Sequence, residues 1–190
     1  RSNYLFRSNT VIGDFMSGSV GDNTARASGV IASAGGGGKI LQVVGTSVTD
    51  RSTTTASTWT DFGLSQAITP TAAGSKILIC PMVNISWGFG IAKVVRDIAA
   101  AGYTDITGMR GDQVGSNRKR SLFGGNPTYS GPGSCTFLDS PSYSLTDEIT
   151  YKLQWMTEAT VTIYRNYKAD SDQAYHNTGC SILTLIEVAA

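Results

Sequence analysis

Histidine is nearly absent, with His176 the only one in 190 residues. A Ser-His-Asp or Cys-His site would have to use it, and it stands in the polar stretch DSDQAYHNTG with no motif around it. One histidine beside three scattered cysteines, Cys80, Cys135 and Cys180, also excludes the usual zinc spacings. The cysteines are odd in number, lack a CxxC pair and lie in or next to apolar runs, so they read as buried thiols behaving as small hydrophobes. Charge is scarce as well. Fifteen basic and 14 acidic residues make up 15% of the chain and leave a net charge of +1. A nucleic-acid binder would show a clear basic excess, so none is expected as a partner. No apolar run approaches the ~20 residues of a membrane helix, so no membrane insertion is expected. The N-terminus reads without a signal-peptide hydrophobic core, and the missing initial Met leaves room for residues ahead of Arg1.

Other chemical motifs fail on their details. GGGGK at Gly35–Lys39 is not a phosphate loop: Ser33 stands where the first glycine is needed, and Ile40 where Ser or Thr would hold magnesium. Asp170-Ser171-Asp172 lacks the later glycine and glutamate of a calcium loop. Asp139, Asp147, Glu148 and Glu158 could converge as a glycosidase pair, but nothing selects two of them. Arg110-Gly111-Asp112 reads as an ordinary turn, and Arg118-Lys119-Arg120 as a solvated strand face. Asn84-Ile85-Ser86 matches a glycosylation acceptor at a strand end, without a secretory context. The expectation is a protein without enzymatic activity, cofactor or metal.

What is present is Gly, Ser and Thr at the polar positions and a period of two. In Thr136–Asn166, Ile149, Tyr151, Leu153 and Trp155 alternate with Thr150, Lys152, Gln154 and Met156, which offers one apolar face to a core. Thr160–Asn166 alternates next, and the short spacer between the two runs predicts a hairpin. Lys39–Thr49 is strand-like and Asp50–Thr58 a Ser/Thr loop. Trp59–Thr69 reads as two short strands or as one with a bulge at Gly63. Lys76–Ser86 is apolar on both faces, with Pro81 implying an edge or a bulge. Ile91–Ala101 is open between strand and helix, since its three alanines favour helix and Gly102 could cap it. Ser116–Phe123 and Ser134–Leu138 read as short strands flanking a Gly/Pro loop. Cys180–Val188 is a terminal strand apolar enough to lie centrally. Eight or nine strands with long loops predict an all-β, antiparallel β-sandwich, jelly-roll-like in form.

A chain of this length suits one domain with an appendage, and it can bury roughly 70% of its unfolded surface without staples. The division falls at the four glycines. Residues 1–38 read as an extended N-terminal arm and glycine linker, and 39–190 as the β domain. Tyr4, Leu5, Phe6, Val11, Ile12 and Phe15 give the arm the apolar content to anchor on a partner surface; a fraying terminus is the alternative. Trp87 and Phe89 (in SWGFG), Tyr129 (in NPTYSG), Tyr143 (in SPSYS) and Tyr175 (in QAYHN) lie in loops. There they suit contact with a receptor or partner, or packing over the ends of the sandwich.

KILQVVGTSVTD (Lys39–Asp50) and WTDFGLSQAITPTAAGSKILI (Trp59–Ile79) resemble the start of a β domain family of tailed-bacteriophage tail fibres and other virion-surface proteins. GDQVGSNRKRS (Gly111–Ser121), TFLDSPSYS (Thr136–Ser144), ITYKLQW (Ile149–Trp155) and SILTLIEV (Ser181–Val188) continue the resemblance in order, over Lys39–Ala190. It implies a jelly-roll-like domain in a homotrimer on the virion surface, assembled in the host cytoplasm, and a strand at Ile91–Arg96. IAAAGYTDIT departs from the pattern and leaves room for a short helix. No catalytic residue transfers. The expected function is a trimeric fibre or knob held to capsid or tail proteins by the arm, with its tip facing a host glycan or protein. Capsid decoration is the alternative, and a glycan-cleaving tail spike the more remote one.

Overall fold

The computed structural model describes residues 38–86, 89–112, 115, 119–124, 131–159, 161–167 and 178–190. Ile40–Ala190 form one compact unit, and the description begins only at Gly38. The arm and its six anchor candidates therefore lie outside the described residues. The strands are β1 (Ile40–Val48), β2 (Ser52–Thr54), β3 (Thr60–Ile68), β4 (Lys76–Ser86), β5 (Gly90–Ile98) and β6 (Thr104–Asp105). After them come β7 (Phe123–Gly124), β8 (Gly131–Ser134), β9 (Phe137–Asp139), β10 (Ile149–Thr157), β11 (Ile163–Arg165) and β12 (Ser181–Val188).

Two antiparallel sheets pack against each other. The first runs β1-β12-β4-β11-β2 with β8 and β9 on β4; the second runs β3-β10-β5-β6 with β7 on β5. Several strands are segments of one longer line. β12 and β11 follow each other along one edge of β4, β9 and β8 along its other edge, and β1 and β2 along β12 and β11. β6 and β7 share an edge of β5 in the same way. Each sheet then has four lines. Numbered one to eight along the chain, they run 1-8-3-6 and 2-7-4-5, the jelly-roll winding in which successive lines mostly change sheets.

That winding overturns the expected hairpin. β10 pairs with β3 and β5 in the second sheet, while β11 pairs with β2 and β4 in the first. The spacer crosses between sheets because its amides bond elsewhere: Thr157 N donates to Ala56 O and Glu158 N to Phe89 O, each at 2.9 Å. The expected alternation does hold. Ile149, Tyr151, Leu153 and Trp155 are all buried, and they join Phe62, Leu64, Ile77, Ile79, Leu183 and Leu185 in one core. Each such side chain contributes about 1.5–3 kcal/mol by leaving water. Trp155 also meets Phe62 edge-to-face, with ring centroids 5.1 Å apart.

Local irregularities follow from particular residues. Gly63 has φ +83°, and the pairing of β3 with β10 slips there, so the segment is one strand with a bulge. Pro81 lies in an interior strand, not an edge. Its carbonyl faces the break between β8 and β9, accepting from Cys135 N at 3.4 Å, so its missing N–H falls where no ladder bond is due. Residues 91–98 are strand, and Ala99 and Ala100 turn left-handed (φ 53° and 58°) where a helix was open. Pairing with β10 overrides alanine's helical preference there. The only helical turn among the described residues is Thr107–Met109. Two readings are corrected: Ser52–Thr54 is a strand within the expected loop, and within the expected strand at Ser116–Phe123 the described residues 119–122 are not strand, β7 beginning only at Phe123.

Candidate functional site

The charged residues of the two sheets point in opposite directions. In the second sheet Asp61, Lys93, Asp97, Asp105 and Lys152 occupy outward positions, and Arg96 alone turns inward. The outward cations are engaged. Lys93 Nζ lies 2.6 Å from Asp105 and 4.5 Å from the centre of the Trp59 ring. Lys152 Nζ lies 3.2 Å from Asp61 and 3.9 Å from the centre of the Tyr103 ring. In the first sheet the strands carry four charges, and Asp139, Arg165 and Glu187 are all buried, leaving Lys76 at the margin.

Each inward charge closes a polar cluster. Arg96 Nη1 donates to Asp139 Oδ2 at 2.5 Å and the Tyr151 hydroxyl donates to the same oxygen at 2.8 Å, joining β5 and β10 to β9 across the sandwich. Burial, and after it the Asp139 charge, push the Tyr151 hydroxyl far above its ordinary pKa, so it remains a donor. Glu187 accepts from Gln42 Nε2 at 2.7 Å, Thr71 N at 2.8 Å, Thr71 Oγ1 at 3.0 Å and Ala72 N at 3.2 Å. Burial pushes the Glu187 carboxyl up, but the hydrogen bonds outweigh it and hold it below its usual value. Arg165 donates to the Phe62 carbonyl at the Gly63 bulge and, at 2.6 Å, to Asp50 Oδ2. Beside it the buried Asn166, at φ 63°, donates to Val48 O (2.8 Å) and Asp50 O (3.1 Å) and accepts from Ser181 Oγ (2.7 Å). Gly179 N also donates to Asn166 O at 2.9 Å. This clasp joins the end of β11 to the start of β12.

The outer face of the first sheet is left apolar. Val43, Ile186, Leu78 and Leu138 pair across all four lines in a single row. Val43 and Leu138, at its two edges, are 58% and 44% exposed. The next row, Gly45–Thr184–Cys80, is small, and the row beyond it carries Ile182 and Met82. Ile40, 58% exposed, pairs with Val188 at the near end. At the far end Tyr164 and Tyr167 meet edge-to-face, with Arg51 over the Tyr167 ring.

The two aromatic candidates that lie among the described residues, Phe89 and Tyr143, do not meet. Phe89 is 45% exposed in the turn before β5, next to Glu158. Tyr143 lies at the opposite end of β10, half-buried against the core, its hydroxyl 2.7 Å from Ala72 O and 3.3 Å from Ser75 O. Roughly 25–30 Å of strand separates the two ends. Trp87, Tyr129 and Tyr175 lie outside the described residues, as does His176. Arg110 is tied to Asp105, and Gly111 O accepts from Arg120 Nε at 2.7 Å, so that tripeptide is built into the fold. Asn84 lies inside paired β4, with its backbone bonded to Ser181 Oγ and Asn166 N. The three cysteines are free and half-buried, where full burial was expected; burial pushes the Cys80 and Cys135 thiols up.

The outer apolar face and the Tyr164–Tyr167–Arg51 cluster were missed as sites, though the face left a signal. Lys76–Ser86 and Cys180–Val188 are apolar at odd and even positions alike, and strands of that kind are covered on both sides. Among the described residues no group of three or more His, Cys, Asp or Glu could hold a metal ion, and no helix is long and apolar enough to cross a membrane. Compared with known proteins, the chain matches no family model and no curated protein. The resemblance to virion-surface domains therefore rests on the quoted segments alone.

Proposed function

We propose that the chain is a non-enzymatic structural subunit of a bacteriophage virion surface, a homotrimeric fibre or knob anchored by its N-terminal arm with the β tip exposed to the host. The observation that carries the reading is the outer face of the first sheet, an apolar surface with Lys76 only at its margin, on a domain that turns the sheet's other three charges inward. Such a face suits assembly more than chemistry. The winding is consistent with it, since jelly rolls recur in viral capsid and lectin domains. Shared folds do not fix function, so the winding supports this reading only by analogy.

Capsid decoration, the second reading, draws on a specific observation. Phe89 and Tyr143 lie at opposite ends of the sandwich and Tyr143 is committed internally, which weighs against a receptor site built from these two together. The test compares binding of purified protein to host cells with binding to undecorated capsids. Cell binding supports the adhesin. Capsid binding that is lost on removing residues 1–38, without cell binding, supports decoration. Binding to neither, together with release of sugars from host polysaccharide, would replace both with the tail spike.

A further inference from the structure

We infer that the outer face of the first sheet is where copies of this chain pack on one another, the edge bearing Val43 in one copy meeting the edge bearing Leu138 in the next. The inference rests on the homotrimer reading only for the number of copies. Three observations select a second copy as the occupant. The first is charge. Lys76 is the only charged residue in the described strands of this face, and it lies at one end. The four-line row itself carries no charge, with Lys76 and Arg51 standing only at the two ends of the face, so a second copy meets the row with the same neutral surface and desolvates no charge there.

Relief is the second. The row Val43–Ile186–Leu78–Leu138 stands beside the low row Gly45–Thr184–Cys80, and Ile182 and Met82 rise beyond it. A four-residue ridge beside a three-residue furrow is self-complementary over the three lines they share, because the ridge of one copy fills the furrow of another. Position is the third. The two most exposed members of the ridge stand on its outermost lines, where a flat face meets its neighbours when copies gather around an axis. Four lines ~4.8 Å apart and about eight residues long give a footprint of roughly 400 Å². That is about half of one side of a standard two-body interface. Each copy buries the face once whether two or three associate, so the number of copies comes from the homotrimer reading and the face gives only the place of contact.

The test uses the full chain and measures mass by light scattering across a concentration series. Val43→Asp and Leu138→Asp place a charge at exposed positions that tolerate it in the monomer. Ser65→Asp does the same on the exposed second-sheet side as a control. Wild type and Ser65→Asp are expected to be trimers. Each face variant should raise the dissociation constant roughly a hundredfold or more and run as a folded monomer with an unchanged circular dichroism spectrum. Alkylation of Cys80 should be slower in the wild-type trimer than in these monomers. A monomeric wild type would overturn the inference, as would face variants that keep the wild-type mass. Face variants that keep wild-type mass but no longer bind capsids would assign the face to a different protein, leaving the virion reading intact. A trimer dissolved by these variants that binds neither capsids nor cells would uphold the face and remove the virion reading.

Discussion

The two sheets share a core and solve the problem of their outer surfaces in opposite ways. The second sheet wears Asp61, Lys93, Asp97, Asp105 and Lys152 outward and pairs its cations with neighbouring carboxylates and rings. The first sheet holds Asp139, Arg165 and Glu187 inside and presents Val43, Ile186, Leu78 and Leu138 to the outside. A surface finished with charge needs no partner. One from which charge has been withdrawn leaves apolar area that a partner can cover. The inward charges, Arg96 of the second sheet among them, also stitch the sheets and their loops together, so they should matter for stability and the outward charges of the second sheet little.

The largest effect is expected where the sheets are joined. Replacing Arg96 by Met leaves the buried Asp139 carboxylate with Tyr151 alone, at a cost of about 3–5 kcal/mol. Adding Asp139→Asn removes the stranded charge and should recover a good part of that loss in urea denaturation. An Arg96→Met variant as stable as wild type would show that the inward charges do not hold the sandwich together.

Glu187 comes next. Alanine there leaves the amides of Thr71 and Ala72 and the Thr71 hydroxyl without their acceptor, while Gln42 Nε2 keeps the Thr69 carbonyl, at the upper end of ~1–3 kcal/mol. The same carboxylate sets a pH dependence. Its folded pKa lies below its unfolded value of about 4.3, so its contribution is present above that value and is lost as pH falls through the folded pKa. Wild type should therefore lose stability below about pH 4 more steeply than Glu187→Gln. Parallel pH profiles would remove the carboxylate from the account.

A smaller effect is expected at the Gly63 bulge. Alanine at its left-handed φ costs about 1–2 kcal/mol, and its Cβ would press on Arg165 Nη1, which has to shift. A melting temperature unchanged in Gly63→Ala would mean that the bulge and the buried arginine are not coupled.

Sequence alone revealed the elements whose signal is local. The alternation of Ile149–Trp155, the glycine bulge and the central terminal strand were all legible, because each follows from its own residues. What failed depended on distant partners. The β10–β11 spacer looks like a hairpin turn until the jelly-roll winding sends its flanks to different sheets. Ala99–Ala101 looks helical until β10 fixes the strand before it. Tyr143, chosen as a contact candidate for its neighbours in sequence, has a distant partner of the same kind, its hydroxyl bonding a turn 71 residues away. The outer apolar face needs the cross-strand register before Val43, Ile186, Leu78 and Leu138 become one row.

The smallest effect belongs to the charged face, and it sharpens the contrast most. Lys152 bridges Asp61, which is more than half exposed, so Lys152→Met should change monomer stability by only about 0.2–1 kcal/mol. Salt separates the two surfaces. Raised sodium chloride screens the Lys152–Asp61 pair and narrows the gap between wild type and variant in urea denaturation. Sulfate strengthens apolar burial and should tighten association through the first-sheet face, read as a shift to higher mass at lower protein concentration. If association instead weakened with salt in step with the Lys152 pair, charges would be holding the copies together. The division of labour between the sheets would then be reversed, with the second sheet as the assembly surface.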